Sequence, residues 1–286
     1  MSQHDGTALV LGGGGITGAA WEIGLLAGLA EAGVDLTSAD LVVGTSAGSV
    51  AGAQIRSGTP IEDLYARQLE PPAAEIPARL NARAMLRFLL PLLWPGDERG
   101  NRARLGRAAL RARTMSETER RAVIASRLPN PSWPERRLLI TAVDAETGEV
   151  RVFDRDAGVA LVDAVAASCA VPFVYPAMSI DGRRYVDGGV RSVANADLAK
   201  DCRRVVVMVP TVFALRRTQR IANQLATLGE GVQSIVVSPD AEARKAMGTQ
   251  ALDPAFRAPS ARAGRSQAGR VAGAVGAVWP RTGGAT

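Results

Sequence analysis

The first seventy residues alternate between short apolar runs and glycine-marked turns that open helices, and this rhythm limits the chain to one class of fold. Thr7 to Leu11 reads as a short buried strand, and glycines follow at once. A helix is expected from Gly18 to Ala32, ended by Gly33. Leu41 to Val43 repeats the pattern as a second strand, Gly44 to Ser49 as its turn, and Ala47 to Arg56 as its helix, stopped at Gly58. Thr59-Pro60-Ile61-Glu62 has the form of a capping box with proline at the first helical position, so a third helix should run to about Leu69. Strand, glycine turn and helix in succession predict an α/β fold, a parallel sheet with helical crossovers. The 286 residues, 47% of them hydrophobic, suffice to fill the core of one such domain.

From Pro71 to Pro134 the rhythm breaks. The stretch is punctuated by proline, rich in arginine and helical in pattern, and reads as a helical insertion of about residues 71–135 over one end of the sheet. Ser116 to Glu119 opens one of its helices with a second capping box. Strands resume at Arg137 to Val143 and Glu149 to Phe153, around a turn at Glu146-Thr147-Gly148. A helix follows from Val159 to Ala167. Met178 to Ile180 and Arg183 to Val186 flank Asp181-Gly182, a type I′ turn signal. Val205 to Val209 and Ser234 to Val237 complete the strands, with a helix between them. Residues 254–286 are dominated by Ala, Gly, Arg, Ser and Pro with no acid after Asp253, a low-complexity composition that predicts a disordered tail after a domain of residues 1–253.

Gly44-Thr45-Ser46-Ala47-Gly48 matches G-x-S-x-G between a strand and a helix. A turn that tight lifts the serine hydroxyl clear of the backbone at a helix N-terminus, which makes Ser46 a candidate nucleophile. A serine nucleophile needs a base. The chain has one histidine, His4, ahead of the first strand and out of place for that role. Lys200 and Lys245 stand beside no strand end or glycine turn. Asp187, in Val186-Asp187-Gly188-Gly189, follows a strand directly, and two glycines let the backbone turn so that its carboxylate projects at the sheet end. Asp144 and Asp181 belong to hairpins that account for them. The loop Gly12 to Gly18 follows the first strand and opens a helix, so its N–H groups can hold an anion, the tetrahedral oxyanion if the chemistry is acyl transfer. The same residues fit the dinucleotide pattern G-x-G-x-x-G, with Asp35 at the right distance but ahead of the second strand rather than at its end.

Together the three motifs resemble those of the patatin-like phospholipase family, whose hallmarks are a G-G-G-x-[R/K]-G loop, a G-x-S-x-G elbow and a D-G-[AG] motif, in that order. Here they are Gly13 to Gly18, Gly44 to Gly48 and Asp187 to Gly189, and Ala166 to Pro172 resembles the segment before the aspartate motif. The resemblance spans about residues 7–240. It implies a three-layer α/β/α fold with a mainly parallel sheet, and a lipid acyl hydrolase of phospholipase A, lysophospholipase or esterase type with no cofactor and no metal. Ser46 and Asp187 would be the catalytic dyad. Gly13, Gly14, Gly15, Ile16, Thr17 and Gly18 would form the oxyanion loop, with Gly44 and Gly48 at the elbow and Gly188 and Gly189 in the aspartate motif. Thr17 departs from the pattern, because the family usually carries Arg or Lys there. The competing readings are a non-catalytic lipid-binding regulatory protein of the same fold, a nucleotide-binding α/β protein, and acyl transfer to an acceptor other than water.

The 34 basic and 28 acidic side chains give a net charge of +6, and fourteen arginines fall between Ile76 and Arg137. Such a surface attracts phosphate, and with these motifs lipid head groups are expected rather than nucleic acid. Ala84 to Trp94 is apolar nearly all round apart from Arg87, which predicts either a buried helix packed on the sheet or one that dips into a lipid surface or forms the lid of an acyl pocket. No run reaches the roughly 18 apolar residues that span a bilayer. Cys169 and Cys202 lack metal-site spacing and read as reduced, partly buried thiols. The expected location is cytoplasmic, with membrane contact at most peripheral. The preference for Arg over Lys fits a bacterial genome of high GC content.

Overall fold

A computed structural model describes residues 6–71, 82–212 and 214–279. Eight strands form one sheet: β1 (Thr7–Leu11), β2 (Leu41–Gly44), β3 (Arg137–Asp144), β4 (Val150–Phe153), β5 (Met178–Ile180), β6 (Arg183–Asp187), β7 (Arg204–Met208) and β8 (Gln233–Val237). Their order is β5-β6-β3-β2-β1-β7-β8, with β4 paired to β3 off that path. The segment from β3 to β8 through β2, β1 and β7 is parallel throughout, whereas β4 and β6 run antiparallel to β3.

Alternation along the strands separates two cores. Leu9 and Leu11 of β1 pack on one face, with Val42, Ile140 and Val206. Helices α1 (Gly15–Glu31), α2 (Ala47–Ile55), α3 (Ile61–Leu69) and α7 (Leu161–Ser168) cover that face. Ala8 and Val10 face the other way, with Val43, Val205 and Val207, under the turns around Ala196–Ala199 and helix α8 (Ile221–Ala226). The result is a three-layer α/β/α fold with a mainly parallel sheet.

Helices α4 (Ala82–Leu93), α5 (Glu98–Ala109) and α6 (Glu117–Arg127) occupy the described part of the interval between α3 and β3. A third, smaller core joins α4 and α5 to the sheet through Leu92, Leu105, Val143, Ala145 and Val186, while α6 packs into the first core through Ile124. Pro91 lies inside α4, and the Asn101 side chain ties down the end of that helix by donating to the carbonyls of Leu92 (3.2 Å) and Trp94 (2.8 Å). The capping box at Ser116 forms in full. The one expected at Thr59 does not: Pro60 takes the N-cap position and offers no side-chain acceptor, while Thr59 Oγ1 accepts a bond from Ser57. Asp181 and Gly182 both have positive φ, 49° and 75°, as a type I′ turn requires.

The C-terminal segment corrects the expectation of disorder. After α9 (Ala241–Met247) the chain forms a 22-residue helix, α10 (Arg257–Val278), laid along α1. Composition misled here because small residues serve close packing. A Cβ on Gly24 would stand 2.0 Å from Ala261 O, and one on Gly264 would stand 2.3 Å from Trp21 O. The two backbones touch where larger side chains would hold them apart. Trp21 Nε1 donates to Gln267 Oε1 at 3.0 Å, and Gln267 Nε2 donates to Ser238 O at 2.7 Å. The acids that the tail lacks come from elsewhere: Arg265 pairs with Glu31 (3.0 Å) and Glu62 (2.7 Å). His4 and residues 280–286 lie outside the described residues, as do residues 72–81 of the insertion.

Two glycines of α10 provide a test with opposite signs. Gly269 faces open space, so Gly269→Ala should stabilise the protein by about 0.5–1 kcal/mol through helix propensity alone. Gly264→Ala should instead cost about 1–3 kcal/mol through overpacking. Urea unfolding of both variants checks this, and equal stabilisation by both would show that α10 does not pack on α1.

Candidate active site

The G-x-S-x-G sequence forms the turn between β2 and α2, and packing explains its glycines. A Cβ on Gly48 would meet Leu11 O at 2.0 Å, and one on Gly44 would meet Ser49 Cα at 2.6 Å. Between them Ser46 adopts φ 52° and ψ −116°, a conformation that costs a non-glycine residue about 1–3 kcal/mol. The surroundings hold it there. Ser46 N–H donates to Ser168 Oγ at 2.9 Å, Gly48 N–H reaches Gly12 O at 3.0 Å, and Thr45 N–H reaches Leu11 O at 3.0 Å.

Strand register places Asp187 at the same level. Gly44 of β2 lies opposite Ile140 of β3, and Ala142, two residues further along β3, lies opposite Asp187 of β6. Because β6 runs against β3 while β2 runs with it, both strands end at the same stretch of β3. Asp187 N–H donates to Ala170 O at 3.0 Å, and Gly189 N–H donates to Asp187 Oδ1 at 2.7 Å. A Cβ on Gly188 would stand 2.3 Å from Thr141 Oγ1, which accounts for the glycine after the aspartate.

Burial of Asp187 pushes its carboxyl up to about 6. Three neighbours oppose that rise: the Ser46 hydroxyl by hydrogen bonding, the Gly189 N–H, and the Arg120 guanidinium by its charge. The Ser46 hydroxyl and the Arg120 charge thus both act on the buried carboxylate.

Of the expected oxyanion loop, only part is open. Gly13 N–H is taken by Val193 O (2.7 Å), Thr17 N–H by Ala251 O (3.2 Å) and Gly18 N–H by Gly14 O (2.9 Å), so these three are not free donors. Among the described residues, the N–H groups of Gly14, Gly15 and Ile16 make no backbone hydrogen bond. They form the first turn of α1, where helix geometry leaves N–H groups open and the helix dipole favours negative charge. Thr17 is buried, and its hydroxyl turns back to Gly14 O at 3.5 Å. Asp35, the acid that a dinucleotide site would need, caps a turn before β2 by accepting from Thr37 N–H at 2.9 Å.

Other residues of the site carry no motif. Asn195 is fully buried in a left-handed conformation, and its amide donates to Thr45 Oγ1 (2.9 Å), Thr141 Oγ1 (3.3 Å) and Ser192 O (2.8 Å). It links β2, β3 and the segment after Asp187. Glu22 accepts from Gly12 N–H at 2.9 Å, and burial raises its carboxyl well above the ordinary value. A lone acid inside the apolar run Ala19 to Leu26 was its sequence signal. Arg120 projects from α6 with its guanidinium 3.5 Å over the Tyr175 ring.

A cavity of about 440 Å³ opens over Ser46. Gly15, Ile16, Ala19, Val50, Val171 and Leu252 give it apolar and backbone wall. Among the described residues no group of three or more His, Cys, Asp or Glu side chains could hold a metal ion.

A mainly parallel α/β/α sandwich with a serine elbow after its second strand and a buried aspartate at the end of an antiparallel neighbour is the patatin class of fold. The chain belongs to the patatin-like phospholipase family, whose model matches residues 9–200, and so stands among the lipid hydrolases. It is also similar to VipD from Legionella pneumophila, at 13% identity and a TM-score of 0.47, over 95% of this chain and 67% of that one. The type III effector protein ExoU matches at 18% identity and a TM-score of 0.43, over 95% of this chain and 53% of that one.

The Asp187 environment predicts a pH-dependent stability. A carboxyl raised from 3.8 to about 6 on folding contributes stability that is fully present below 3.8 and is lost as pH rises through 6. Asp187→Asn, neutral throughout and still able to accept from Gly189, should therefore melt close to wild type at pH 4 and above it at pH 8. Calorimetry across that range checks it, and a gap that does not widen with pH would show that the carboxyl titrates at its ordinary value.

Proposed function

We propose that the protein hydrolyses acyl esters of lipids through a Ser46–Asp187 dyad and an oxyanion site made by Gly14, Gly15 and Ile16. The observation that carries this reading is the convergence of the Ser46 hydroxyl on a buried carboxylate at one end of the helix α1 N-terminus. Ser46 Oγ attacks the ester carbonyl, and its proton passes to the Asp187 carboxylate. The carbonyl oxygen becomes negative and is held by the open N–H groups, which carry that charge without reorganising. Collapse expels the alcohol, which takes the proton from Asp187. Water then attacks the acyl-serine and gives its proton to Asp187, which returns it to Ser46 Oγ as the acyl bond breaks, so that Ser46 is regenerated and the free fatty acid leaves. Raising the carboxyl to about 6 makes it a stronger base than a solvated aspartate while leaving most of it ionised at pH 7.

Ser46→Ala should abolish hydrolysis of a short-chain p-nitrophenyl ester, and Asp187→Asn should lower kcat by at least about 100-fold. In the wild type kcat/KM should fall on the acid side with an apparent pKa of about 6. Full activity in both variants would overturn the assignment, and failure of a fluorophosphonate to label Ser46 would favour a non-catalytic lipid-binding role.

Helix α4 supports contact with a lipid surface. Leu86, Leu90, Leu93 and Trp94 are each more than half exposed and recur at helical spacing, while Leu92 is buried. The expectation of a fully buried helix does not hold, because one face meets the sheet and the other meets solvent. No helix among the described residues is long and apolar enough to cross a membrane. Exposed leucines on an amphipathic helix fit the interface of a bilayer. Replacing Leu86 and Leu90 together by serine should lower the ratio of vesicle-lipid to monomeric-ester hydrolysis by about tenfold, and an unchanged ratio would remove α4 from the reading.

A further inference from the structure

Ser46 stands at the N-cap of α2, yet its hydroxyl makes no capping bond to that helix. An N-cap serine ordinarily turns its oxygen onto an N–H of the first helical turn. Here the hydroxyl is bonded to the Asp187 carboxyl instead. Ser46 is buried, so its own N–H and C=O must find partners inside the protein.

Two consecutive side chains at the end of α7 supply them. Ser168 Oγ accepts from Ser46 N–H at 2.9 Å, and Cys169 Sγ donates to Ser46 O at 3.3 Å. Ser49 Oγ donates to the same carbonyl at 2.7 Å from within α2. Among the described residues, Ser46 N–H has no hydrogen-bond partner besides Ser168. The backbone of the same segment reaches the rest of the site. Cys169 O accepts from Arg120 Nη2 at 3.3 Å, and Ala170 O accepts from Asp187 N–H at 3.0 Å. Ser168, Cys169 and Ala170 thus touch the serine, the arginine and the aspartate in turn. All three are buried, and Cys169 N–H bonds back to Val165 O at 3.0 Å, which fixes the segment to α7.

Such a grip matters because Ser46 holds φ 52°, a strained value that persists only where the surroundings over-determine it. A peptide group released on the N–H side is free to rotate, and rotation there carries Cβ and Oγ with it. Proton transfer needs the base within hydrogen-bond reach of Oγ, and a misplacement of about 1 Å costs about 100-fold in rate.

We propose that Ser168 and Cys169 are positioning residues for the acyl-transfer step: they hold the N–H and C=O of Ser46 so that its Oγ stays on Asp187. The proposal rests on Ser46 as the nucleophile and Asp187 as its base.

Ser168→Ala removes the acceptor without adding bulk. With a short-chain p-nitrophenyl ester, kcat should fall at least about tenfold while KM stays within about twofold, and fluorophosphonate labelling of Ser46 should slow in parallel. The acid limb of kcat/KM should also move above about 6. The Ser46 hydroxyl, the Gly189 N–H and the Arg120 charge all lower the Asp187 carboxyl against burial, so losing the first lets it rise. A residue that only fills the core would change the melting temperature and leave kcat, KM and the acid limb of the folded protein in place. Cys169→Ala should lower kcat several-fold, less than Ser168→Ala because Ser49 remains on the carbonyl, and Cys169→Ser, which keeps a donor, should restore it. Wild-type kcat and acid limb in a folded Ser168→Ala would sink the positioning role, and should that variant not fold, the same values in Cys169→Ala would do so. An active wild type silenced by Ser46→Ala but indifferent to Ser168→Ala removes the positioning role alone. A wild type that neither hydrolyses the ester nor takes the label removes the dyad, and the positioning role with it.

Discussion

The site depends on the pairing around β3. A parallel strand ends in a nucleophile elbow on one side, and an antiparallel strand ends in an aspartate paired to the same stretch of β3. In an all-parallel sheet neighbouring strands finish together at one edge; here the aspartate arrives at the level of the elbow from the opposite direction, on a strand that runs against β3. Reversing β6 brings a strand terminus to the level of Ser46 without a long connection, because β5 and β6 form a tight hairpin through Asp181 and Gly182. Hydrogen bonds between side chains then lock the level. Thr45 and Thr141 meet at 3.0 Å, and Asn195 donates to both. A one-residue slip of β6 would turn Asp187 to the other face of the sheet.

Electrostatics at that junction are a compromise between two needs. A base for a serine hydroxyl should hold protons firmly, and burial achieves this for Asp187. A buried carboxylate must nevertheless ionise at neutral pH, and the Gly189 N–H together with the Arg120 charge keeps it within reach of doing so. Arg120 therefore moderates the base. A threonine at position 17 puts no charge in the glycine loop, and the cation that acts on Asp187 is Arg120 of α6.

The sequence made the parallel strands and the first helices legible because each was bracketed by glycine and filled with apolar residues, so periodicity and punctuation agreed. The elbow and the aspartate were legible for the same reason, since their glycines answer close backbone approaches that leave a trace in the chain. Asn195, Glu22 and Arg120 left little or none. Asn195 works through contacts far along the chain, such as Thr45, 150 positions away, and Arg120 reaches Cys169, 49 positions away, so no local spacing encodes either. The oxyanion loop was legible as a motif but not donor by donor, because the partners that occupy Gly13 and Thr17 come from Val193 and Ala251.

The C-terminal region shows why composition alone misjudged order. Alanine and glycine without acids describe a flexible linker equally well as a helix that needs to lie against another backbone, and only the partner decides between them. Here the partner is α1, the helix whose first turn carries the open N–H groups. The approach to α10 reinforces that turn: Ala251 O accepts from Thr17, and a Cβ on Gly15, which holds φ 65°, would stand 2.5 Å from the same oxygen. Leu252 lines the cavity, and Arg257 enters it from the start of α10. The segment that looked least structured thus fixes the glycine loop from behind and contributes to the wall in front of it. Loosening α10 should accordingly disturb the glycine loop before it disturbs the sheet.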